Sequence, residues 1–80
     1  MRIDKYLKNS RLIKRRTVAK EACEQETITV NDKVAKPGTE VKEGDIVEIK
    51  FGNNTIKVRI TKILETVRKE DAADMYEVIQ

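Results

Sequence analysis

The 80 residues contain no histidine, which removes the usual general base near neutral pH and the commonest metal ligand. The single cysteine, Cys23, cannot close an internal disulfide. It falls on the apolar side of an expected helix, where a buried small hydrophobe fits better than a reactive thiol. The three glycines are scattered and form no phosphate-cradling loop. Acidic pairs such as Glu70-Asp71 sit in charged, solvent-like sequence. Catalysis, a bound metal and a cofactor are therefore not expected, and a chain this small has little room for a water-excluding substrate pocket. No apolar run approaches the ~20 residues that span a bilayer. The opening Met1-Arg2-Ile3-Asp4-Lys5 lacks the apolar core of a secretory signal, so the expected location is cytoplasmic, away from membranes. Aromatic residues number three, Tyr6, Phe51 and Tyr76, and none is interleaved with the basic side chains. That disfavours single-strand binding by stacked bases.

Charge and apolar pattern are what the sequence has in quantity. Charged and apolar residues each make up 39% of the chain, and the net charge is only +3. Disorder usually requires low hydrophobicity together with a large net charge, so a folded chain is expected. Its core is thin, because a domain of this size buries only about 60% of its unfolded surface. The charge is unevenly placed. Residues 1–20 carry eight basic side chains against one acid, a balance of +7, whereas the other sixty carry nine basic and thirteen acidic groups, or −4. Solvated surfaces usually mix both signs; this asymmetry points instead to a polyanion-binding face.

Apolar spacing sets the expected elements. Ile3 and Leu7, four apart with Tyr6 beside them, predict a short helix over 3–8. Asn9-Ser10 suit a turn or a new cap. A second helix is expected from about Lys14 or Arg15 to Gln25, with Val18, Ala19, Ala22 and Cys23 forming its apolar rows. At Thr27 the period changes to two. Residues 27–30 and 33–35 read as strands around Asn31-Asp32, whose turn type the sequence leaves open. Lys36-Pro37-Gly38 and Lys42-Glu43-Gly44-Asp45 are turn signals, with Val41 between them as a core anchor. Strands are expected over 46–51 and 55–61 around Gly52-Asn53-Asn54, then one or two helical turns over 69–75 and a last extended segment over 76–79. Helices followed by a small, mostly antiparallel sheet make an α+β fold. One domain covering 1–80 is expected.

Arg2, Lys5, Lys8 and Arg11 recur every third residue, and Arg15 follows four later. On a helix this spacing sets several of them along one side, away from Ile3 and Leu7. Lys14-Arg15-Arg16 concentrates charge at the start of the second helix, where unpaired N–H groups and the helix dipole already favour phosphate. Arginine adds bidentate contacts and lysine point-charge contacts. Asp4, the single acid in this field, can orient Arg2, Lys8 or Arg11, or can simply favour the helix start. With stacking disfavoured, folded RNA read through shape, phosphate and 2′-OH is the fitting polyanion.

Several spaced elements, in order, resemble the S4 RNA-binding domain family. They are Arg2-x-Asp4-x-x-Leu7, Arg16-Thr17-x-Ala19, Ile28-x-Val30-Asn31 and Val41-Lys42-x-Gly44-Asp45. They span about residues 2–50, with the hairpin and tail of 51–80 beyond them. The resemblance implies two helices on a small sheet, with RNA contacts from Arg2, Lys5, Arg11, Arg15 and Arg16 and neighbours Lys8, Lys14 and Lys20. The chain departs from the family pattern in three places. Glu26 stands where the family often has glycine, Asn31-Asp32 where it has Asn-Gly, and Arg15 where a serine commonly precedes Arg16.

Ser10-Arg11-Leu12-Ile13-Lys14-Arg15-Arg16-Thr17, Lys20-Glu21 and the tail from Arg68 to Tyr76 resemble the stand-alone ribosome-quality-control branch of the family, the RqcP group, related to the heat-shock S4 proteins of proteobacteria. This likeness implies a monomer that binds large-subunit rRNA and P-site peptidyl-tRNA on split, obstructed large subunits. There it would assist an RqcH-type factor in C-terminal alanine tailing. Three alternatives stand beside it. One is a general rRNA- or tRNA-binding factor in ribosome assembly or heat-shock recycling. The others are a targeting domain cut from a modifying enzyme and a protein-interaction module whose partners would survive nuclease treatment.

Overall fold

The computed structural model describes residues 1–80 and contains two α-helices, α1 (Ile3–Asn9) and α2 (Arg16–Glu24). Strands β1 (Ile28–Val30), β2 (Lys33–Val34), β3 (Ile46–Phe51) and β4 (Asn54–Ile60) follow, then a 3-10 helix (Lys69–Met75) and β5 (Tyr76–Val78). The five strands form one antiparallel sheet in the order β2-β1-β3-β4-β5. The α+β architecture agrees with the apolar pattern.

Alternation along the strands makes the sheet one-sided. Ile28, Val30, Val47, Ile49, Val58 and Ile60 are buried, and they join Ile3, Tyr6, Leu7, Ala19, Cys23 and Met75 in one core. The opposite face is polar, with Glu48 opposite Lys57 and an ion pair between Arg59 and Glu77. Both helices therefore lie on the same side of the sheet. Val18, expected in the apolar rows of α2, is instead 46% exposed. Ala19 and Cys23 alone are fully buried there, because the helix approaches its neighbours on its small residues.

At seven residues, α1 is too short to hold its shape alone. It is fastened at both ends. The Ile3 N–H donates to the Thr39 carbonyl (2.7 Å) and the Asp4 N–H to the Pro37 carbonyl (3.3 Å). The Val41 N–H donates to the Met1 carbonyl (2.9 Å), and Arg2 bridges to Glu40 in antiparallel fashion. The loop around Lys36-Pro37-Gly38 thus caps α1 with backbone carbonyls. Toward the other end, the buried Tyr6 hydroxyl donates to the Met75 carbonyl (2.7 Å), and Asn9 Nδ2 donates to the carbonyls of Leu64 and Glu65.

The turns explain the motif residues. Asn31 and Asp32 have φ of 52° and 68°, the pair of left-handed residues that a type I′ hairpin turn requires. Asn31 also ties β1 to β3. Its Nδ2 donates to Asp45 Oδ1 (3.2 Å), and its Oδ1 accepts from the Ile46 N–H (2.9 Å). Gly44 sits at φ 91° and donates its N–H to the Ile60 carbonyl. α2 closes with the Glu26 N–H on the Cys23 carbonyl (3.0 Å) and the Thr27 N–H on the Ala22 carbonyl (3.1 Å). This is a Schellman closure with Glu26 at φ 62° in the position glycine favours.

A side chain in the left-handed region costs about 1–2 kcal/mol that glycine avoids, partly offset by the greater freedom of glycine in the unfolded chain. Glu26→Gly is therefore expected to stabilise the fold by about 0.5–1 kcal/mol. Thermal unfolding followed by circular dichroism should show Tm raised by roughly 2–8 °C. A lowered Tm would mean that Glu26 is stabilised by something other than the helix closure.

Candidate nucleic-acid interface

Seven of the eight basic residues of the N-terminal segment, Arg2, Lys8, Arg11, Lys14, Arg15, Arg16 and Lys20, are exposed, and Lys5 is half-buried. They do not form the single helical row that three-residue spacing suggests. Arg2 precedes α1 in extended backbone, and Arg11 lies beyond its end at φ 62°, so only Lys5 and Lys8 of the row are helical. The helix instead divides the charges between its two ends.

At the N-terminal end stands Asp4, 2% exposed. Its Oδ2 accepts from Arg2 Nη2 (3.2 Å), and its Oδ1 accepts from Arg16 Nη2 (3.4 Å) and from the Lys5 N–H (2.8 Å). A buried carboxylate satisfied by two guanidinium groups is a charge-assisted anchor. It fixes Arg2 from the chain start and Arg16 from α2 side by side, each about half exposed. Asp4 is thus an orienting residue, but for Arg2 and Arg16. Lys8 and Arg11, proposed from spacing as its partners, lie out of its reach because they belong to the far end of α1. Arg2, Asp4, Arg16, Thr17 and Lys20 line an open depression of about 310 Å³. The Arg2 side chain also runs beside Gly38 of the capping loop, where a Cβ would stand 3.9 Å from its Nε.

The first N–H groups of α1 are taken by carbonyls, so that terminus offers nothing to an anion. α2 differs. Arg15 is its N-cap and makes no side-chain cap, and no acid stands in its first turn. Arg15, Arg16 and Thr17 therefore surround a helix start with donors to spare.

At the C-terminal end of α1, Lys8, Arg11 and Lys14 line a second depression of about 290 Å³ with Asn9, Glu65, Thr66 and Val67. Lys5 Nζ is bonded to Glu65, so its charge is partly answered from within the molecule. That bond and the Lys5 charge hold the Glu65 carboxyl below the usual carboxylate range. Nothing in the sequence pattern linked residues 65–67 to the basic segment; only the folded chain brings them together.

Cys23 is 1% exposed, as its place on α2 predicts. Burial foremost, then the negative charges of Asp4 and Glu24, pushes its thiol up to about 11. No cluster of three or more histidine, cysteine or acidic side chains is arranged for a metal, and no helix is long and apolar enough to cross a membrane.

The model of the S4 domain family matches residues 1–47, more than half of the chain. The chain belongs to the S4 domain family. Among its relatives, the RQC P-site tRNA stabilizing factor of Halalkalibacterium halodurans is 64% identical over 78 residues, covering 98% of this chain and 89% of that protein. The factor of the same name from Listeria monocytogenes is 54% identical over 80 residues, covering 100% and 87%. Of solved structures, trimeric Heat Shock Protein 15 from Vibrio cholerae superposes with a TM-score of 0.91 at 28% identity, covering 99% of this chain and 81% of that one. The matched residues 1–47 contain both α-helices, Asp4 and the eight basic side chains of residues 1–20.

A raised thiol pKa makes the neutral form a condition of folding. Its contribution is complete below the pKa of the unfolded chain, near 9, and is lost as pH climbs toward about 11. Stability should therefore fall by up to about 1.4 kcal/mol per pH unit in that window. Chemical denaturation at pH 8 to 11 should show a shallower decline in Cys23→Ala than in the parent. Parallel curves would assign the loss to other groups.

Proposed function

We propose that this chain is a non-catalytic RNA clamp of ribosome-associated quality control, working in the cytoplasm. On a split, obstructed large subunit it grips large-subunit rRNA and the P-site peptidyl-tRNA. An RqcH-type factor then extends the nascent chain with C-terminal alanines. The tailing chemistry belongs to the ribosome, and one copy of this chain holds the tRNA in place.

The observation that carries the reading is the Arg2–Asp4–Arg16 arrangement. Two guanidinium groups are preset by one buried carboxylate and open to solvent beside an unfilled helix start. Preset guanidinium groups lose little freedom on meeting phosphate. RNA is the fitting polyanion because the face offers no exposed aromatic for stacking and Asp4 holds two of its guanidinium groups in place. The names of the relatives in Halalkalibacterium and Listeria support the setting in quality control and the P-site tRNA as partner. The likeness to Heat Shock Protein 15 favours one second reading, a general rRNA- or tRNA-binding factor in assembly or heat-shock recycling of large subunits. Particles recovered with the tagged chain under stress separate the two. Split subunits holding peptidyl-tRNA support the first, and assembly precursors support the second.

Arg2→Ala and Arg16→Ala are expected to abolish co-sedimentation with large subunits without changing the circular dichroism spectrum, since both side chains are half exposed. Normal sedimentation of both variants would sink the assignment. For the parent chain, about six phosphate contacts imply a roughly 10³-fold loss of affinity between 50 and 200 mM salt.

Asp4→Asn discriminates more sharply. Removing an acid from a basic face should tighten RNA binding if only overall charge matters. If Asp4 presets the two arginines, binding weakens, by roughly tenfold, although the net charge has risen. Fluorescence anisotropy with a labelled rRNA hairpin reads the sign directly.

A further inference from the structure

We infer that the open edge of β5 takes up an extended, basic polypeptide segment as a further strand of the sheet. This is a protein-docking surface, separate from the cationic face and independent of the RNA-binding reading.

A sheet edge carries backbone groups that no neighbouring strand uses, and native proteins usually blunt such edges. The edge at β2 is blunted: it is two residues long, carries Lys33, and the chain leaves it through Lys36-Pro37. The edge at β5 has neither lysine nor proline. Its bonds to β4 fix which of its groups are free. The Thr61 N–H donates to the Met75 carbonyl (3.0 Å), and the Ile79 N–H donates to the Lys57 carbonyl (2.9 Å). Peptide groups alternate in direction along an antiparallel strand, so those of Met75, Glu77 and Ile79 face β4. The N–H and C=O groups of Tyr76 and Val78 point the other way, beyond the last strand.

Side chains at the same edge leave a row unfinished. Val30 pairs with Val47, Val47 with Val58 and Val58 with Val78, which sets four valines in line across the core face. The first three are 8%, 0% and 0% exposed, whereas Val78 is 58% exposed. A strand added beyond β5 would extend that row by one side chain and withdraw Val78 from water. Main-chain hydrogen bonds then supply affinity, and the alternate side chains supply register.

Charge selects the chemistry of the occupant. From Glu70 to Gln80 the chain carries four acids and no base. Glu77 is answered by Arg59, but Glu70, Asp71 and Asp74 make no ion pair. The 3-10 helix that holds these three leads directly into β5, so they stand at one end of the open edge. Phosphate is repelled there. A second copy of β5 is repelled as well, since it brings the same four acids. An extended segment in which lysine or arginine alternates with apolar residues answers the acids, the valine row and the free peptide groups together.

The test titrates the full, nitrogen-15-labelled chain with a short capped peptide of alternating lysine and valine and follows amide hydrogen exchange by NMR. The peptide is expected to slow exchange at Tyr76 and Val78 by about tenfold, while amides already bonded to β4 change little. Two further peptides carry the controls. One has alternate amides N-methylated, which blocks strand pairing at unchanged charge; the other has glutamate for lysine. Neither should protect the two amides. Val78→Pro removes an outward N–H and leaves the bonds to β4 in place, as proline at a sheet edge does. It should weaken the lysine–valine peptide by about tenfold. Glu70→Gln/Asp74→Asn, which leaves the strand itself untouched, should weaken it by a similar factor of about ten.

Unchanged exchange at Tyr76 and Val78 with the lysine–valine peptide overturns the inference. Equal affinity for the N-methylated peptide overturns strand addition and leaves only charge attraction. Equal affinity for the glutamate peptide overturns the basic character of the partner. Protection of the two amides that rises with the concentration of the chain alone assigns the edge to a second copy, and the same protection from an RNA hairpin assigns it to nucleic acid; either result overturns the proposal.

Discussion

The whole arrangement depends on how α1 is held. A seven-residue helix has no independent stability in water, because nucleation fixes several dihedral angles for each early hydrogen bond. Here the carbonyls of Pro37 and Thr39 occupy the first N–H groups, and the chain start lies antiparallel to Glu40. The capping loop comes from the middle of the sequence, so the place of the N-terminal charges depends on the β1–β3 connection. Asp4 is buried beside that loop and binds Arg2 and Arg16. Presentation of cations at the surface is thus a consequence of a backbone contact far away in sequence.

An isolated carboxylate at such a position would be expensive to bury. Two guanidinium groups and a backbone N–H satisfy it, and no buried side-chain polar atom of the chain lacks a partner. The pairs are half exposed on the arginine side, so their Coulomb energy is screened and adds little to stability. Their value lies in geometry. A flexible arginine loses rotamer freedom when it meets a ligand; one already held by Asp4 has lost much of it on folding. The same acid that lowers the local positive potential therefore makes the remaining charge more useful.

Apolar periodicity made the fold legible. Ile3, Tyr6 and Leu7 marked α1, and the alternation from Ile46 to Thr61 marked the central hairpin, because burial of one face leaves a period that registers directly in sequence. The family was legible through the spaced S4 elements, and the basic face through the charge asymmetry. Three features were not. The division of the basic residues between two depressions depends on Arg2 and Arg11 lying outside the helix, which a three-residue spacing conceals. Val18 fits the apolar row of α2 but is largely exposed, since the buried side of the helix is centred on Ala19 and Cys23. The role of residues 65–67 has no local signature, because Asn9 reaches them across 55 and 56 residues of chain.

The turns show where this small protein tolerates strain. Four residues other than glycine adopt positive φ: Arg11, Glu26, Asn31 and Asp32. Asn31 and Asp32 are side chains that accept this region readily, and Asn31 is repaid by its bonds to Asp45 and Ile46. Glu26 is exposed and makes no side-chain hydrogen bond, so its strain is uncompensated locally. Arg11 is likewise exposed, yet it stands on the rim of a concavity with Lys8 and Lys14. An 80-residue domain has a net stability on the order of 4–12 kcal/mol, so a cost of about 1 kcal/mol at each of two sites is a sizeable fraction. At Glu26 glycine would relieve it with nothing visible to lose. At Arg11 the relief would remove a cation from the second depression, and this difference separates strain that the fold merely bears from strain attached to a binding surface.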